Sequence, residues 1–320
     1  MNQTDYTLIE DECGRHPHLA AILKQAKDLP AMATAVVHPT EQHSLRGALA
    51  SAEYGLIDPI LVGPEFRIRA TAEEHDLDIS QVQVIDTEHS HASAAIAVEL
   101  CRTRKAGALM KGALETNELL SAVLNPTDGI RGEFRISHVW VMDIPTYHKA
   151  LIVTDAAINI QPTLAIKRAI LINAIQMAKA LGLEHPKVAI LAAVEMVNPE
   201  MPSTIDAAAL CKMADRHQLL DGAIVDGPLA FDNAISLEAA ITKNIQSPVS
   251  GDADILLAPD LEAANILGKQ LLYLANAKAA GVVLGARQPI ILTSRSETLF
   301  GRLTSCALAR LIDHQALPGK

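Results

Sequence analysis

The chain has 320 residues, 49% of them apolar and only 3% aromatic. That is too long for one core and suits two domains of about 150 residues each, built from Ala, Leu, Ile and Val, which points to an α/β protein and away from a β-sandwich. With 27 basic against 37 acidic residues, a formal charge of −10, nucleic acid and anionic membrane are excluded as partners, because either calls for a basic face.

In chain order, residues 18–27 read as a short helix and 33–37 as the first buried strand. The next helix starts near Glu41 and places Leu45, Ala48, Leu49 and Ala52 on one face, with Gly55 in the left-handed position past its end. A strand over 57–62, a polar helix over 68–75, a weak strand over 82–86 and an Ala-rich helix over 90–104 lead to the strand Ala108-Leu109-Met110. Lys111-Gly112 ends that strand, and Thr116 is expected to cap the helix that follows. Residues 125–134, with Pro126, Gly129 and Gly132, form a loop. Arg135-Ile136-Ser137-His138 then enters a strand over 139–143 that carries the only tryptophan, and 150–155 is another strand.

The second half repeats this grammar. A helix over 164–181 precedes a strand over 188–194, an irregular loop over 197–203, and a helix opening at Ser203-Thr204 with hydroxyl caps. A strand over 223–225 runs into Asp226-Gly227-Pro228, and 255–258 runs into Pro259-Asp260. The last strands are 281–285 and 290–292, and a helix over 302–312 closes the chain. Short apolar runs alternating with amphipathic ones are the signature of successive β-α units.

Four widely spaced cysteines with no CxxC pair indicate neither a zinc knuckle nor a disulfide framework, which fits a reducing compartment. Residues 1–13 lack the pattern of a signal peptide, and no apolar run approaches eighteen residues, so a soluble, cytoplasmic protein is expected. GxGxxG, GxxxxGK[ST] and GxSxG are all absent, which argues against dinucleotide binding, a Walker-type phosphate cradle and an α/β-hydrolase.

Several residues have two readings. His89-Ser90-His91 is either a pair of metal ligands on an extended stretch or two exposed rings in a strand-to-helix turn. Lys111, Arg135 and Arg295 stand beside strand ends, either as surface charges or as the local cations an acidic protein needs for an anionic ligand. Asp226 and Asp260 mark either rigid turns or carboxylates facing a cleft. Ser294-Arg295 follows the apolar run Ile290-Ile291-Leu292, at the strand edge where open α/β sheets bind ligands. The pair either holds an anion there or serves as a cap and a surface ion pair.

The segments Asp226-Gly227-Pro228-Leu229-Ala230-Phe231-Asp232, Ser247-Pro248-Val249-Ser250-Gly251-Asp252-Ala253-Asp254 and Pro259-Asp260-Leu261-Glu262-Ala263-Ala264-Asn265 resemble phosphate acetyltransferases and phosphate butyryltransferases. Ser294-Arg295 occurs at the corresponding place after the last strand. Leu109-Met110-Lys111-Gly112, Arg135-Ile136-Ser137-His138 and Thr154-Asp155-Ala156-Ala157 resemble the butyryltransferase side more closely. The match runs in order from about Thr34 to Leu311.

That resemblance implies a two-domain α/β open sheet of the isocitrate and isopropylmalate dehydrogenase type, with the active site in the interdomain cleft. The first domain would take 1–150 and 288–320 and the second, also the dimerisation domain, 151–287. The implied reaction is reversible acyl transfer between coenzyme A and inorganic phosphate, giving an acyl phosphate, by a cytoplasmic homodimer. It needs no bound cofactor or metal, because coenzyme A and acyl-CoA are substrates. Ser294, Arg295 and Glu297 are the expected catalytic residues. Lys111, Thr116, Arg135, Ser137, Asp226, Gly227, Pro228, Asp260 and Asn265 are expected to bind substrate. Arg295 suits the phosphate, and Ser294 the thioester oxygen or departing sulfur. The acetyltransferases place an aspartate base seven residues after the serine; here that position is Gly301, and Glu297 is the substitute, unless the thiolate leaves without a dedicated base. The alternatives to an acetyltransferase are a butyryltransferase, a coenzyme-A-binding homologue with impaired catalysis, and an oxidoreductase of the same fold.

Overall fold

Uninterrupted apolar runs are what parallel strands covered on both faces require. In the computed structural model, which describes residues 3–292 and 297–316, these runs form the sheets of two units, Met1–Glu133 with Ala280–Lys320, and Phe134–Ala279. The first unit opens with α1 (Gln3–Arg15) and α2 (Pro17–Lys27). It then alternates β1 (Met32–Val37), α3 (Gln42–Glu53), β2 (Ile57–Gly63), α4 (Glu65–Glu74), β3 (Gln83–Asp86), α5 (Ser90–Arg102), β4 (Ala108–Lys111) and α6 (Thr116–Val123). The second unit carries β5 (Ser137–Asp143), β6 (Leu151–Thr154), α7 (Leu164–Ala180), β7 (Lys187–Leu191), α8 (Pro202–Asp215) and β8 (Ile224–Leu229). It continues with α9 (Phe231–Ile235), α10 (Leu237–Thr242), β9 (Ile255–Leu257) and α11 (Leu261–Leu274). The chain returns along β10 (Lys278–Leu284) to β11 (Ile290–Ile291) and α12 (Leu299–Ala316).

The strand order in the first unit is β3-β2-β1-β4-β11-β10, all parallel except β10 against β11. In the second it is β5-β6-β9-β7-β8, with β5 antiparallel to β6 and the rest parallel. The unit boundaries fall at 133/134 and 279/280, earlier than 150/151 and 287/288, because β5 pairs with β6 from Val139↔Thr154 to Met142↔Leu151 and so joins its partner's unit.

Two helices form cores. α7 buries Ile170, Leu171, Ile172, Ala174, Ile175 and Met177, and α12 buries every residue from Phe300 to Leu311. Helices buried around so much of their circumference lie inside a domain. Gly55 adopts φ +81 past the end of α3, as its C-terminal position requires.

Some elements differ from the sequence reading. α1, α9, α10 and α11 are additional helices, and β8 does not stop at Val225 but continues through Asp226-Gly227-Pro228 to Leu229. β8 is the edge strand, where a proline's missing N–H costs no ladder bond. Its register against β7 shifts between Ala189 and Leu191, a bulge that absorbs the extra residue. α8 starts at Pro202, not Ser203, since a proline in the first helical turn gives up only an N–H that would be unpaired.

Candidate active site

Ser294 and Arg295, with Thr293 and Ser296, lie outside the described residues. Glu297 lies two residues before α12, and its Oε1 accepts a hydrogen bond from the buried Ser305 Oγ at 3.2 Å. Ser305 Oγ also accepts from the Gly281 N–H at 2.9 Å, so the carboxylate is tied to β10 through one hydroxyl. Arg302, one residue beyond Gly301, is 5% exposed on α12. Burial pushes its guanidinium down, and the charge of Glu297 opposes that shift.

Lys111 ends β4, and its Nζ donates to the Gly112 carbonyl at 3.2 Å. Gly112 is required there, because a Cβ would stand 2.3 Å from the Val37 carbonyl oxygen. Thr116 is not the cap of α6 but its first residue. The N-cap is Glu115, whose N–H donates to Glu118 Oε2 at 3.1 Å. Glu118 also accepts from Ser90 Oγ at 2.9 Å and pairs with His91 Nδ1 at 2.8 Å. The Ser90 hydroxyl first, then the Glu115 backbone, hold its carboxyl below the usual range. His89 Nδ1 accepts from the Ala92 N–H at 3.2 Å and caps α5. The two histidines therefore do separate jobs in a strand-to-helix turn.

In the second unit the antiparallel pairing of β5 with β6 brings the start of β5 to the carboxyl end of β6. Four of the expected residues gather at that edge. Arg135 is exposed, and its Nε donates to Asn159 Oδ1 at 2.6 Å. Ser137 is fully buried and its Oγ accepts from Asn173 Nδ2 at 2.8 Å, so it fastens β5 to α7 and is not open to substrate. Asp260 is the N-cap of α11, accepting from the Ala263 N–H at 2.8 Å. Asn265 donates from Nδ2 to the Ala156 carbonyl at 2.9 Å. Both lie against the loop that follows β6, since the Leu261 N–H also donates to the Ile160 carbonyl.

Asp155 and Asn159 organise that loop. Asp155 Oδ1 accepts the N–H groups of His138, Ala157 and Ile158, each at 3.1 Å, while Oδ2 accepts from the Asn159 backbone and side chain. The sequence alone assigns neither a role: Asp155 ends the strand over 150–155 within a segment of the family resemblance, and Asn159 is not singled out. Their signal was two polar residues four apart directly after a buried strand. His138 is 4% exposed, with Nδ1 lacking a partner. Burial pushes its imidazole down to about 4, against the attraction of Asp155, and the ring stands edge-on to Trp140.

Asp226 does not belong to this edge. It pairs with Ala189 inside the ladder, and its Oδ1 accepts from the Gly227 N–H at 2.9 Å. A Cβ on Gly227 would meet the Ile190 carbonyl oxygen at 2.7 Å, so Asp226-Gly227-Pro228 serves the close approach of β8 to β7. An apolar cavity of about 570 Å³ opens where β7 and β9 end, lined by Leu191, Phe231, Pro259, Leu267, Leu271 and Leu274.

Comparison with known proteins bears on the family and the fold. The chain is 53% identical over 299 residues to a phosphate acetyltransferase of Rickettsia typhi, covering 93% of this chain and 85% of the relative. It is 44% identical over 275 residues to a probable phosphate butyryltransferase of Bacillus subtilis, covering 86% and 91%. The crystal structure of a branched-chain phosphotransacylase from Enterococcus faecalis V583 superimposes with a TM-score of 0.77 at 30% identity, covering 88% of this chain and 99% of that one. The fold is thus the two-unit α/β fold of the phosphotransacylases. Residues 87–309 match the phosphate acetyl/butaryl transferase family, and the chain belongs to that family.

Proposed function

We propose that the protein is a phosphate acetyltransferase, interconverting acetyl-CoA and phosphate with acetyl phosphate and coenzyme A. The observation that carries the reading is the 53% identity to an acetyltransferase across 93% of the chain. In the forward step a phosphate oxygen attacks the thioester carbonyl carbon, the C–S bond breaks, and the thiolate leaves and takes a proton. Arg295 holds two phosphate oxygens, and Ser294 donates to the thioester oxygen or the departing sulfur. In reverse, Glu297 takes the thiol proton, a modest task for a thiol of pKa near ~8.5. Lys111 and Arg135, cations at strand ends, supply local positive field in a chain of net charge −10.

Following the reaction by phosphorus NMR tests this. A new acetyl phosphate resonance that requires both acetyl-CoA and phosphate supports the reading, and hydrolysis of acetyl-CoA with no such resonance refutes it. A butyryl substrate is the second reading, favoured by the relative named for that activity at 44% identity and by the branched-chain structural neighbour.

The enzyme works in the cytoplasm, with coenzyme A as substrate and no resident cofactor, as a homodimer joined through the second unit. Supporting the dimer, Ile266, Tyr273 and Leu274 on α11 are 66%, 75% and 77% exposed and share a helix face. Apolar groups of this size on one exposed face mark an interaction surface. Sedimentation of Tyr273→Lys as a monomer, against a dimeric parent, is the expected result; a monomeric parent contradicts it.

A further inference from the structure

Arg135 is held in an unusual way for an exposed cation. Among the described residues no carboxylate lies within ion-pair distance of it, and its guanidinium is fixed instead by a neutral buried amide. Asn159 is 4% exposed, and both ends of its amide are used. Oδ1 accepts from Arg135 Nε at 2.6 Å, while Nδ2 donates to Asp155 Oδ2 at 2.6 Å and to the Ile136 carbonyl at 2.9 Å. With two acceptors on one side and a donor on the other, the orientation of the amide is determined. The backbone is pinned as well, because the Arg135 carbonyl accepts from Asn173 Nδ2 at 2.9 Å. Asp155, 4% exposed and holding four backbone N–H groups, is the fixed point of the chain of bonds.

We infer that Asn159, anchored by Asp155, is a positioning residue that presents Arg135 end-on to an anionic substrate group. With Nε occupied, the two Nη groups remain as the recognition edge, and that edge matches two oxygens on a single atom. The ligand is therefore a phosphate-type oxyanion, carried either by inorganic phosphate or by the phosphates of coenzyme A. A neutral partner suits the task better than a carboxylate would, since it orients the guanidinium without spending its charge. This rests on the acyltransferase reading, with Arg135 as a binding residue.

The test measures KM for phosphate and for acetyl-CoA separately in Arg135→Ala, Asn159→Leu and the double variant, with thermal melts as a control on folding. Asn159→Leu raises one KM about 10-fold with kcat little changed, because a charged hydrogen bond made in the ground state is weakened. Which KM rises tells whether inorganic phosphate or coenzyme A supplies the oxyanion. If Asn159 acts through Arg135, the double variant binds no worse than Arg135→Ala alone. Additive losses, or a normal KM in Asn159→Leu beside an impaired Arg135→Ala, overturn the positioning role. Normal KM values in Arg135→Ala overturn it by removing Arg135 from binding, while turnover in the same assay leaves the acyltransferase reading standing. Should Asn159→Leu not fold, the nitrogen-15 spectrum of the intact enzyme decides. A slowly exchanging Arg135 Nε proton, assigned by its loss in Arg135→Lys, supports the bond to Asn159, and exchange as fast as that of a free surface arginine refutes it.

Discussion

Gly268→Ala is a demanding test of the packing around the single tryptophan. Gly268 lies inside α11, and a Cβ there would stand 2.3 Å from Trp140 Cζ3 and 2.6 Å from Cε3. Carbon atoms rest at about 3.5–4.0 Å, so the ring or the helix must yield by more than ~1 Å. The ring is not free to do so, because His138 packs edge-on against it with centroids 5.2 Å apart. The overpacking cost therefore belongs near the upper end of the usual range, about 3 kcal/mol. Replacing a helical glycine by alanine returns about 1 kcal/mol through helix propensity, leaving a net loss of about 2 kcal/mol. Urea unfolding followed by tryptophan fluorescence reads this site directly, as Trp140 is the only tryptophan. With a slope of about 2 kcal/mol/M, the midpoint falls by about 1 M. An unchanged or raised midpoint with the parent's emission would refute the argument. Gly14 is the control, since nothing lies within 4 Å of its added Cβ; Gly14→Ala stabilises by about 0.5 kcal/mol.

Burial holds His138 neutral down to about 4, whereas in the unfolded chain it protonates near ~6.5. The unfolded state binds more protons between these values, so stability is present above ~6.5 and is lost as pH falls towards about 4, by at most about 3 kcal/mol. The stability difference between the parent and His138→Phe, measured by denaturant titration, should shift against the parent over that window, and a pH-independent difference counts against the buried neutral ring. Lys167, 5% exposed, pairs with Asp206 at 2.8 Å. Asp206→Ala costs about 2 kcal/mol, and much of this returns in the double variant Lys167→Met with Asp206→Leu, because the loss comes from leaving a buried charge unpaired. An equally unstable double variant would be inconsistent with that origin. Arg295→Ala weakens phosphate use by about 2 kcal/mol or more, the scale of a charged donor to a desolvated anion, and kinetics with varied phosphate will show it. An unchanged phosphate dependence would remove Arg295 from the site.

Buried strands were legible because their residues must be continuously apolar. Ala33 to Val37, Ala108 to Met110 and Ile255 to Leu257 are found within a residue or two of where periodicity puts them. Helices such as α11 were missed because their exposed apolar residues blur the amphipathic pattern, and Ile266, Tyr273 and Leu274 point away from the unit's own core. Turn chemistry misled at Asp226-Gly227-Pro228, where an edge strand tolerates residues that would break a central one. Candidate binding residues stood out where charge stands at a strand end, as with Arg135. Roles differed where the side chain turned inward: Ser137 faces Asn173, and Asp260 caps a helix. Asn159 was invisible for a physical reason. A neutral amide in a loop acquires meaning only when antiparallel pairing of β5 with β6 carries Arg135 to it.

The central claim is acyl transfer to phosphate, and the most direct test is thiol release from acetyl-CoA and butyryl-CoA with and without phosphate. The expected result is release that depends on phosphate and is faster with the acetyl substrate. Phosphate-dependent release that favours butyryl-CoA would move the assignment to the butyryl reading, and no phosphate-dependent release from either would contradict the claim itself.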